Sequence, residues 1–246
     1  MDNFIEIYEN ALSDDLCDLL VNEFEHYHGD YKTYKGVTTG GLHRPEIKDS
    51  WDFDLLKRWR QNYDNSPNSS MSFYDGQPYD PILEKIYDAG YNTLMRYDEK
   101  YDFHGEFINL KEINYWPVEE LPKVRNMRYL KRCFNIQPYM LIKKYEKIEN
   151  QGYHIFHSDF DIRSNTWLKR SHVIMFYLND VEKGGETEWY YQKLKIKPKK
   201  GTAVVWPVYA THKHKGHIPL SNSKYILNLW VEPNVTKVEV DDRWWH

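Results

Sequence analysis

The sequence predicts an α+β fold that is mainly β, with N-terminal helices packed on a C-terminal antiparallel sandwich or barrel. Two observations support this prediction. Two stretches in the N-terminal half place apolar side chains at helical spacing. After Cys133, short segments rich in β-branched and aromatic residues follow one another, separated by turn residues and without a helical pattern. The length of 246 residues suits one domain with a single core.

The N-terminal layer, residues 1–135, is predicted to contain an edge strand and two helices. Residues 4–12 form the strand, and Ser13 is a suitable N-cap for a helix over 13–28. Pro81 opens the second helix, which Gly90 should weaken. Residues 29–80 show no regular period, so we expect a long loop that could act as a lid.

The β part is expected to cover residues 136–235, followed by a tail at 236–246. Turn residues such as Gly184-Gly185 and the segment 198–201 divide it into short strands. The strands are predicted at 136–145, 153–161, 171–178, 194–197, 202–206, 211–215 and 225–231. We therefore expect the whole chain, 1–246, to form a single domain.

Charge and composition argue against several classes of protein. The 33 basic and 37 acidic residues give a net charge of −4 without a block of like charges, so a nucleic-acid partner is not expected. Uncharged stretches are shorter than the ~20 residues that span a bilayer, and the first residues lack the pattern of a signal peptide. Cys17 and Cys133 are too few for a disulfide scaffold. We expect a cytoplasmic protein, and the Lys-, Asn- and Tyr-rich composition suggests a microbial or phage genome.

The sharpest chemical signal is the tripeptide His157-Ser-Asp159 in a predicted strand. Residues i and i+2 of a strand face the same side, so His157 and Asp159 should converge. With one further histidine they would form the two-histidine, one-carboxylate set that binds Fe(II) and leaves coordination positions open. On its own the pattern is weak, because 11 histidines produce it by chance.

A later cluster of histidines offers the third ligand. His212, His214 and His217 lie close together, and Lys224 follows at the start of a predicted strand. A lysine in that position can meet the carboxylate of an anionic cosubstrate as a point charge. The alternative interpretation of the cluster is a solvated basic loop.

Five separated motifs follow one another in a fixed order. They are His157-Ser-Asp159, Tyr177-Leu-Asn-Asp180, Gly184-Gly-Glu-Thr187, Pro198-Lys-Lys-Gly-Thr-Ala203 and His214…Lys224…Trp230. In this order they resemble the 2-oxoglutarate/Fe(II)-dependent dioxygenases of the prolyl 4-hydroxylase type, over about residues 136–231. The resemblance implies a double-stranded β-helix, or jelly-roll, core. It also implies Fe(II), 2-oxoglutarate and O2 as cofactors, with ascorbate as the reductant.

The resemblance assigns the metal ligands residue by residue. It implies that His157, Asp159 and His214 bind the iron. His214 is chosen over His212 and His217 because the family shows a step of ten residues between the last ligand and its basic residue, as from His214 to Lys224.

The resemblance also implies a site for the cosubstrate. Lys224 would hold the distal carboxylate of 2-oxoglutarate, and Tyr177 would place its hydroxyl on the same carboxylate. Tyr145 would contact cosubstrate or substrate, and Asn228 shares strand parity with Lys224. One departure is Val173, which stands where the family often has a threonine.

The reaction implied is hydroxylation of a C–H bond, with a prolyl residue in a peptide or protein as the expected substrate. One alternative is the same chemistry on another side chain or on a small molecule. A second is a non-catalytic jelly-roll module that binds a partner. A third is a cupin-like zinc or manganese enzyme without 2-oxoglutarate, which would have no use for Lys224.

Overall fold

Two antiparallel β-sheets form the centre of the protein in a computed structural model of the chain, which confirms the predicted jelly-roll class. The structure describes residues 2–29, 33–36, 43–55, 81–101, 127–137, 139–147, 154–159 and 170–233. In chain order the strands are β1 (Glu6–Tyr8), β2 (Tyr34–Lys35), β3 (Trp51–Asp54), β4 (Phe134–Ile136), β5 (Leu141–Tyr145), β6 (His154–His157), β7 (His172–Tyr177), β8 (Thr187–Trp189), β9 (Leu194–Ile196), β10 (Ala203–Pro207), β11 (His214–Gly216) and β12 (Lys224–Pro233).

The larger sheet has eight strands and the smaller has four. The larger sheet runs in the order β1, β10, β7, β12, β5, β3 and β2, with β4 paired to the far end of β12. The smaller sheet runs in the order β6, β11, β8 and β9. Every pairing is antiparallel, and β12 is long enough to bind β7 along one edge and both β5 and β4 along the other.

The two faces of the larger sheet belong to two different cores. Along β7, Val173, Met175 and Tyr177 belong to the core between the sheets, as strand parity predicts. Ile174 and Phe176 belong to the core that the helices cover. The strand is therefore buried on both faces and reads as a continuous apolar run.

Three helices are described: α1 (Asp14–Gly29), α2 (Pro81–Tyr101) and α3 (Met127–Cys133). The Ser13 hydroxyl accepts a hydrogen bond from the Leu16 amide at 3.3 Å, as expected of an N-cap. The buried face of α1 consists of Leu16, Cys17, Leu20 and Phe24, whereas Leu19 is 38% exposed. No described helix is long and apolar enough to cross a membrane.

Several element boundaries differ from the sequence prediction. The strand predicted at 136–145 is two strands, β4 and β5, and the one at 211–215 is a 3-10 turn at Ala210–His212 followed by β11. Strand β8 was not predicted, because its three residues follow directly on the Gly-Gly turn.

The predicted loop at 29–80 is partly wrong, since β3 pairs with β5 inside the larger sheet. The sequence of β3, Trp-Asp-Phe-Asp, does not predict a buried strand, because the residues that face the space between the sheets are acidic and not apolar. Apart from 33–36 and 43–55, the proposed lid lies outside the described residues, and so does the tail at 236–246.

Gly90 has a packing role that helix propensity does not show. It lies in the middle of α2 and is buried against the larger sheet. A Cβ atom at this position would come within 2.7 Å of Ile136 Cδ1 and 2.9 Å of Leu229 Cδ1. The glycine therefore lets the helix backbone approach β4 and β12 closely.

We predict that Gly90→Val destabilises the protein by about 1–3 kcal/mol, the usual cost of overpacking a core. Asn92→Val is the matched control, because Asn92 is exposed on the same helix. It should change the free energy of unfolding by less than about 0.5 kcal/mol. Urea unfolding followed by circular dichroism measures both values. Equal effects would show that the helix does not approach the sheet as described.

Candidate active site

The pairing of β6 with β11 places two histidines side by side. His214 lies directly opposite His157, and their ring centroids are 4.3 Å apart. Asp159 follows two residues after β6 ends, and its Oδ2 atom is 3.6 Å from His214 Nε2. The three side chains offer ligand atoms that all lie within 4.8 Å of one another. They are the three residues that the resemblance implies as metal ligands, and they could hold one metal ion.

Backbone carbonyls fix the orientation of both imidazole rings. His157 Nδ1 lies 3.1 Å from the carbonyl oxygen of Ile155, and His214 Nδ1 lies 3.1 Å from that of His212. A carbonyl oxygen can only accept, so each Nδ1 atom carries the proton. The Nε2 atom of each ring is left with its lone pair, as a metal ligand requires.

Burial keeps the two histidines neutral. It lowers the pKa of His157 to about 3, an effect that the neighbouring His214 reinforces. Burial also lowers the pKa of His214. At Asp159 burial acts in the opposite direction, but the two histidines and nearby cations outweigh it, so the pKa of the carboxyl is lowered. Two neutral imidazoles and a carboxylate are a donor set suited to Fe(II).

The other two candidates for the third ligand have different partners. His212 lies in the 3-10 turn, and its Nε2 atom donates to the carbonyl oxygen of Asn3 at 3.0 Å. His217 Nε2 donates a hydrogen bond to Glu188 Oε2. Neither belongs to the triad, although His212 orients His214 through its backbone carbonyl.

Lys224 is a buried cation at the start of β12. Its side chain is 2% exposed, and Nζ donates to the carbonyl oxygen of Gly185 at 2.8 Å. Burial lowers the pKa of Lys224 to about 7, against the opposing charge of Glu186. Among the described residues no carboxylate lies within 4.0 Å of Nζ. A buried ammonium without a counter-ion is costly, so this position suits an anionic ligand.

The Gly184-Gly185 turn supplies the carbonyl that holds Lys224. Both glycines have positive φ, +71° and +74°, and a Cβ atom on Gly184 would lie 2.3 Å from the carbonyl oxygen of Ile218. Only glycine fits this turn. The backbone conformation of the turn therefore explains the two glycines, independently of any reaction at the site.

The three other predicted cosubstrate residues line the same core between the sheets. Tyr145 lies opposite Lys224, whose Nζ is 5.0 Å from the tyrosine ring centroid. The Tyr177 hydroxyl donates to Thr187 Oγ1 at 2.8 Å. Asn228 Oδ1 is buried and has no hydrogen-bond partner within the described part of the chain. Thr187 is the last residue of the motif Gly184-Gly-Glu-Thr187, but the sequence assigned it no role of its own.

An aromatic wall lies on the same inner face, beyond the predicted residues. Trp230 stacks on Tyr139 with ring centroids 5.7 Å apart, and the Arg170 guanidinium lies 4.1 Å from the Trp230 ring. Gln137 holds Arg170 through a hydrogen bond of 3.0 Å from Nε. Sequence reasoning missed Tyr139 and Arg170, because both lie at strand ends without a motif of their own. Val173, the predicted departure, faces the same core, paired with Trp230.

Comparison with known proteins connects this geometry to one superfamily. Residues 140–232 match the 2OG-Fe(II) oxygenase superfamily. No curated protein matches the sequence. The matched segment contains all three triad residues and Lys224, and it confirms the resemblance drawn from the five motifs.

Solved structures of prolyl hydroxylases share the fold at low identity. A viral collagen prolyl hydroxylase from Paramecium bursaria Chlorella virus-1, in its 2OG complex, is 21% identical over 94% of this chain and 97% of that chain, with a TM-score of 0.56. A Pseudomonas putida prolyl-4-hydroxylase is 13% identical over 93% and 92%, also with a TM-score of 0.56. A Trichoplax adhaerens prolyl hydroxylase, in complex with a hypoxia inducible factor peptide, is 13% identical over 94% and 84%, with a TM-score of 0.60.

We predict that His214→Ala abolishes stabilisation of the protein by Mn(II), used as a redox-inert substitute for Fe(II). Wild type should gain about 2.7 kcal/mol at a metal concentration of about 100 times Kd. His217→Ala is the control, because its ring pairs with Glu188 and should leave the metal effect unchanged. Thermal unfolding with and without Mn(II) measures both. Loss of the metal effect in His217→Ala alone would overturn the choice of third ligand.

Proposed function

We propose, from the match of residues 140–232 to the 2OG-Fe(II) oxygenase superfamily, that this chain is a 2-oxoglutarate- and Fe(II)-dependent hydroxylase. His157, Asp159 and His214 would bind the iron, and Lys224 would bind the distal carboxylate of 2-oxoglutarate. The observation that carries this proposal is the triad of two neutral, oriented histidines and a carboxylate, in the same core as Lys224, a buried lysine with no ion-pair partner among the described residues.

The residues of the chain would bind, orient and enclose the reactants. When bound, Fe(II) and 2-oxoglutarate supply the oxidising chemistry with O2, producing succinate and CO2. Lys224 neutralises the far end of the cosubstrate, and the packed strands of both sheets exclude water around it. The Tyr177 hydroxyl, which contacts Thr187, and the side-chain amide of Asn228 are the polar groups of the same core that would position it. Ascorbate would keep the iron reduced.

We propose a prolyl residue in a peptide or protein as the substrate. Support comes from the fold shared with prolyl hydroxylases, one of which is in complex with a peptide. It also comes from the wall of Trp230 and Tyr139 on the inner face of the larger sheet, since flat aromatic rings suit the ring of a proline. The whole chain, 1–246, would act as one catalytic domain.

The test of this function is succinate formation from 2-oxoglutarate in the presence of Fe(II), ascorbate and a library of proline-containing peptides. Wild type should form succinate, and Asp159→Ala should not, because it lacks the carboxylate ligand. Succinate formation that depends on a peptide, together with an oxygen atom added to its proline, would support the prolyl substrate. Equal turnover by wild type and Asp159→Ala would contradict the proposal.

We predict that Lys224→Met raises KM for 2-oxoglutarate roughly 10- to 100-fold, the loss expected for a hydrogen bond to a charged group. Lys197→Met is the control, because Lys197 is exposed and should leave KM unchanged. Initial rates of succinate formation at varied 2-oxoglutarate give both values. An unchanged KM in Lys224→Met would contradict the assignment of Lys224 to the distal carboxylate of 2-oxoglutarate.

A further inference from the structure

A second buried lysine, Lys143, lies on the inner face of β5. Strand parity places it on the same side as Leu141 and Tyr145, which belong to the core between the sheets. Its side chain is 7% exposed, and its strand neighbours are Ile226 on β12 and Asp52 on β3. Lys143 is two residues from Tyr145 along β5, and Lys224 lies opposite Tyr145 on β12. The proposed function uses only Lys224.

The carboxylate opposite Lys143 on β3 already has other partners. Asp52 Oδ2 forms a buried ion pair of 2.7 Å with Lys48, and Asp52 Oδ1 accepts a hydrogen bond of 2.7 Å from Ser50. Among the described residues no carboxylate lies within 4.0 Å of Lys143 Nζ. The charges of Asp52 and Asp159 both raise the pKa of Lys143, but Asp52 is paired with Lys48 and Asp159 belongs to the triad. Lys48 and Lys143 thus share Asp52, which cannot balance both ammonium groups.

The ammonium of Lys143 faces the triad and the aromatic wall. After burial, its charge is among the causes that lower the pKa of His157 and of His214. Its Nζ atom is 5.8 Å from the Trp230 ring centroid. Lys143 therefore lies beside the space in which a substrate would meet the metal.

The charges of Fe(II), its ligands and 2-oxoglutarate do not balance the positive charge of Lys143. Fe(II) with two neutral histidines and Asp159 has a net charge of one positive unit, and Lys224 adds another. The two carboxylates of 2-oxoglutarate balance both. Asp52 balances Lys48, and Asp159 is already counted with the metal. Among these groups no negative charge remains for Lys143 until a further anion binds.

We propose that Lys143 is a specificity-determining residue that binds a carboxylate of the substrate while the target carbon faces the metal. This inference rests on the proposed function. Two positions in a peptide substrate can supply such a carboxylate. One is an Asp or Glu side chain next to the target proline, and the other is the α-carboxylate of a proline at the end of a chain.

The two roles open to Lys143 predict opposite effects on stability. Burial lowers the pKa of Lys143 to about 8, and Lys48 acts in the same direction, so the charged form is unfavourable in the empty protein. A lysine kept for a ligand should therefore cost stability, and Lys143→Met should raise Tm without metal or substrate. If Lys143 were a structural partner of Asp52, the same change would lower Tm.

The binding experiment uses pairs of short peptides that differ in one negative charge. In the first set a central proline has Glu at one flanking position at a time, and each peptide has a twin with Gln there. In the second set a C-terminal proline has a free carboxylate or an amide. Quenching of tryptophan fluorescence measures their affinity for the protein loaded with Mn(II) and 2-oxoglutarate.

The expected result for wild type is at least one acidic peptide that binds roughly tenfold tighter than its neutral twin. Lys143→Met should abolish this preference, and Lys143→Arg should keep it. Lys144→Met is the matched control, because the neighbouring side chain points away and pairs with Glu25 at 2.9 Å. It should also keep the preference. The set that shows the preference identifies the source of the carboxylate.

Three results would overturn the inference. They are equal binding of every pair by wild type, binding of no peptide, and a preference that survives in Lys143→Met. A lowered Tm of Lys143→Met would also count against it. These outcomes differ from failure of the proposed function, in which wild type would form no succinate from 2-oxoglutarate.

Discussion

The antiparallel pairing of β6 with β11 is the constraint on which the candidate site depends. It sets His157 opposite His214, and it leaves both backbones free to accept the Nδ1 protons of the two rings. Because side chains alternate along a strand, a shift of one residue in this register would turn one histidine away from the other. Strand β8 on the other side of β11 fixes the register further, with Trp189 opposite His214.

The space between the sheets combines a packed core with buried polar groups. Trp189 and Trp206 pack edge to face with centroids 5.2 Å apart, and Trp206 also lies 5.0 Å from the His214 ring. Such packing holds the ligands rigidly, whereas Lys224, Lys143 and Asn228 are buried at a cost to folding. The apolar core between the helices and the other face of the larger sheet offsets that cost. The residues that stabilise the fold are therefore largely separate from those that form the site.

Short-range patterns in the sequence predicted the fold class and the pairing of His157 with Asp159, whereas His214 was implied by the family resemblance. The run of β-branched and aromatic residues predicted β7, Ser13 predicted the start of α1, and the i, i+2 spacing predicted that His157 and Asp159 converge. The sequence did not predict the features that depend on contacts between residues far apart in the chain. Strand β3 is polar on its inner face and makes sense only beside Lys48 and Lys143, and Gly90 is explained only by the close approach of α2 to the sheet.

The central claim is that the triad and Lys224 together form one site for a metal-bound dicarboxylate. The most direct measurement is calorimetric titration of 2-oxoglutarate into the protein with and without Mn(II), in the absence of O2. The account predicts one molecule bound per chain when Mn(II) is present, and binding at least about tenfold weaker when it is absent, since the metal and Lys224 each hold one end. Equal binding with and without the metal, or none at all, would contradict it.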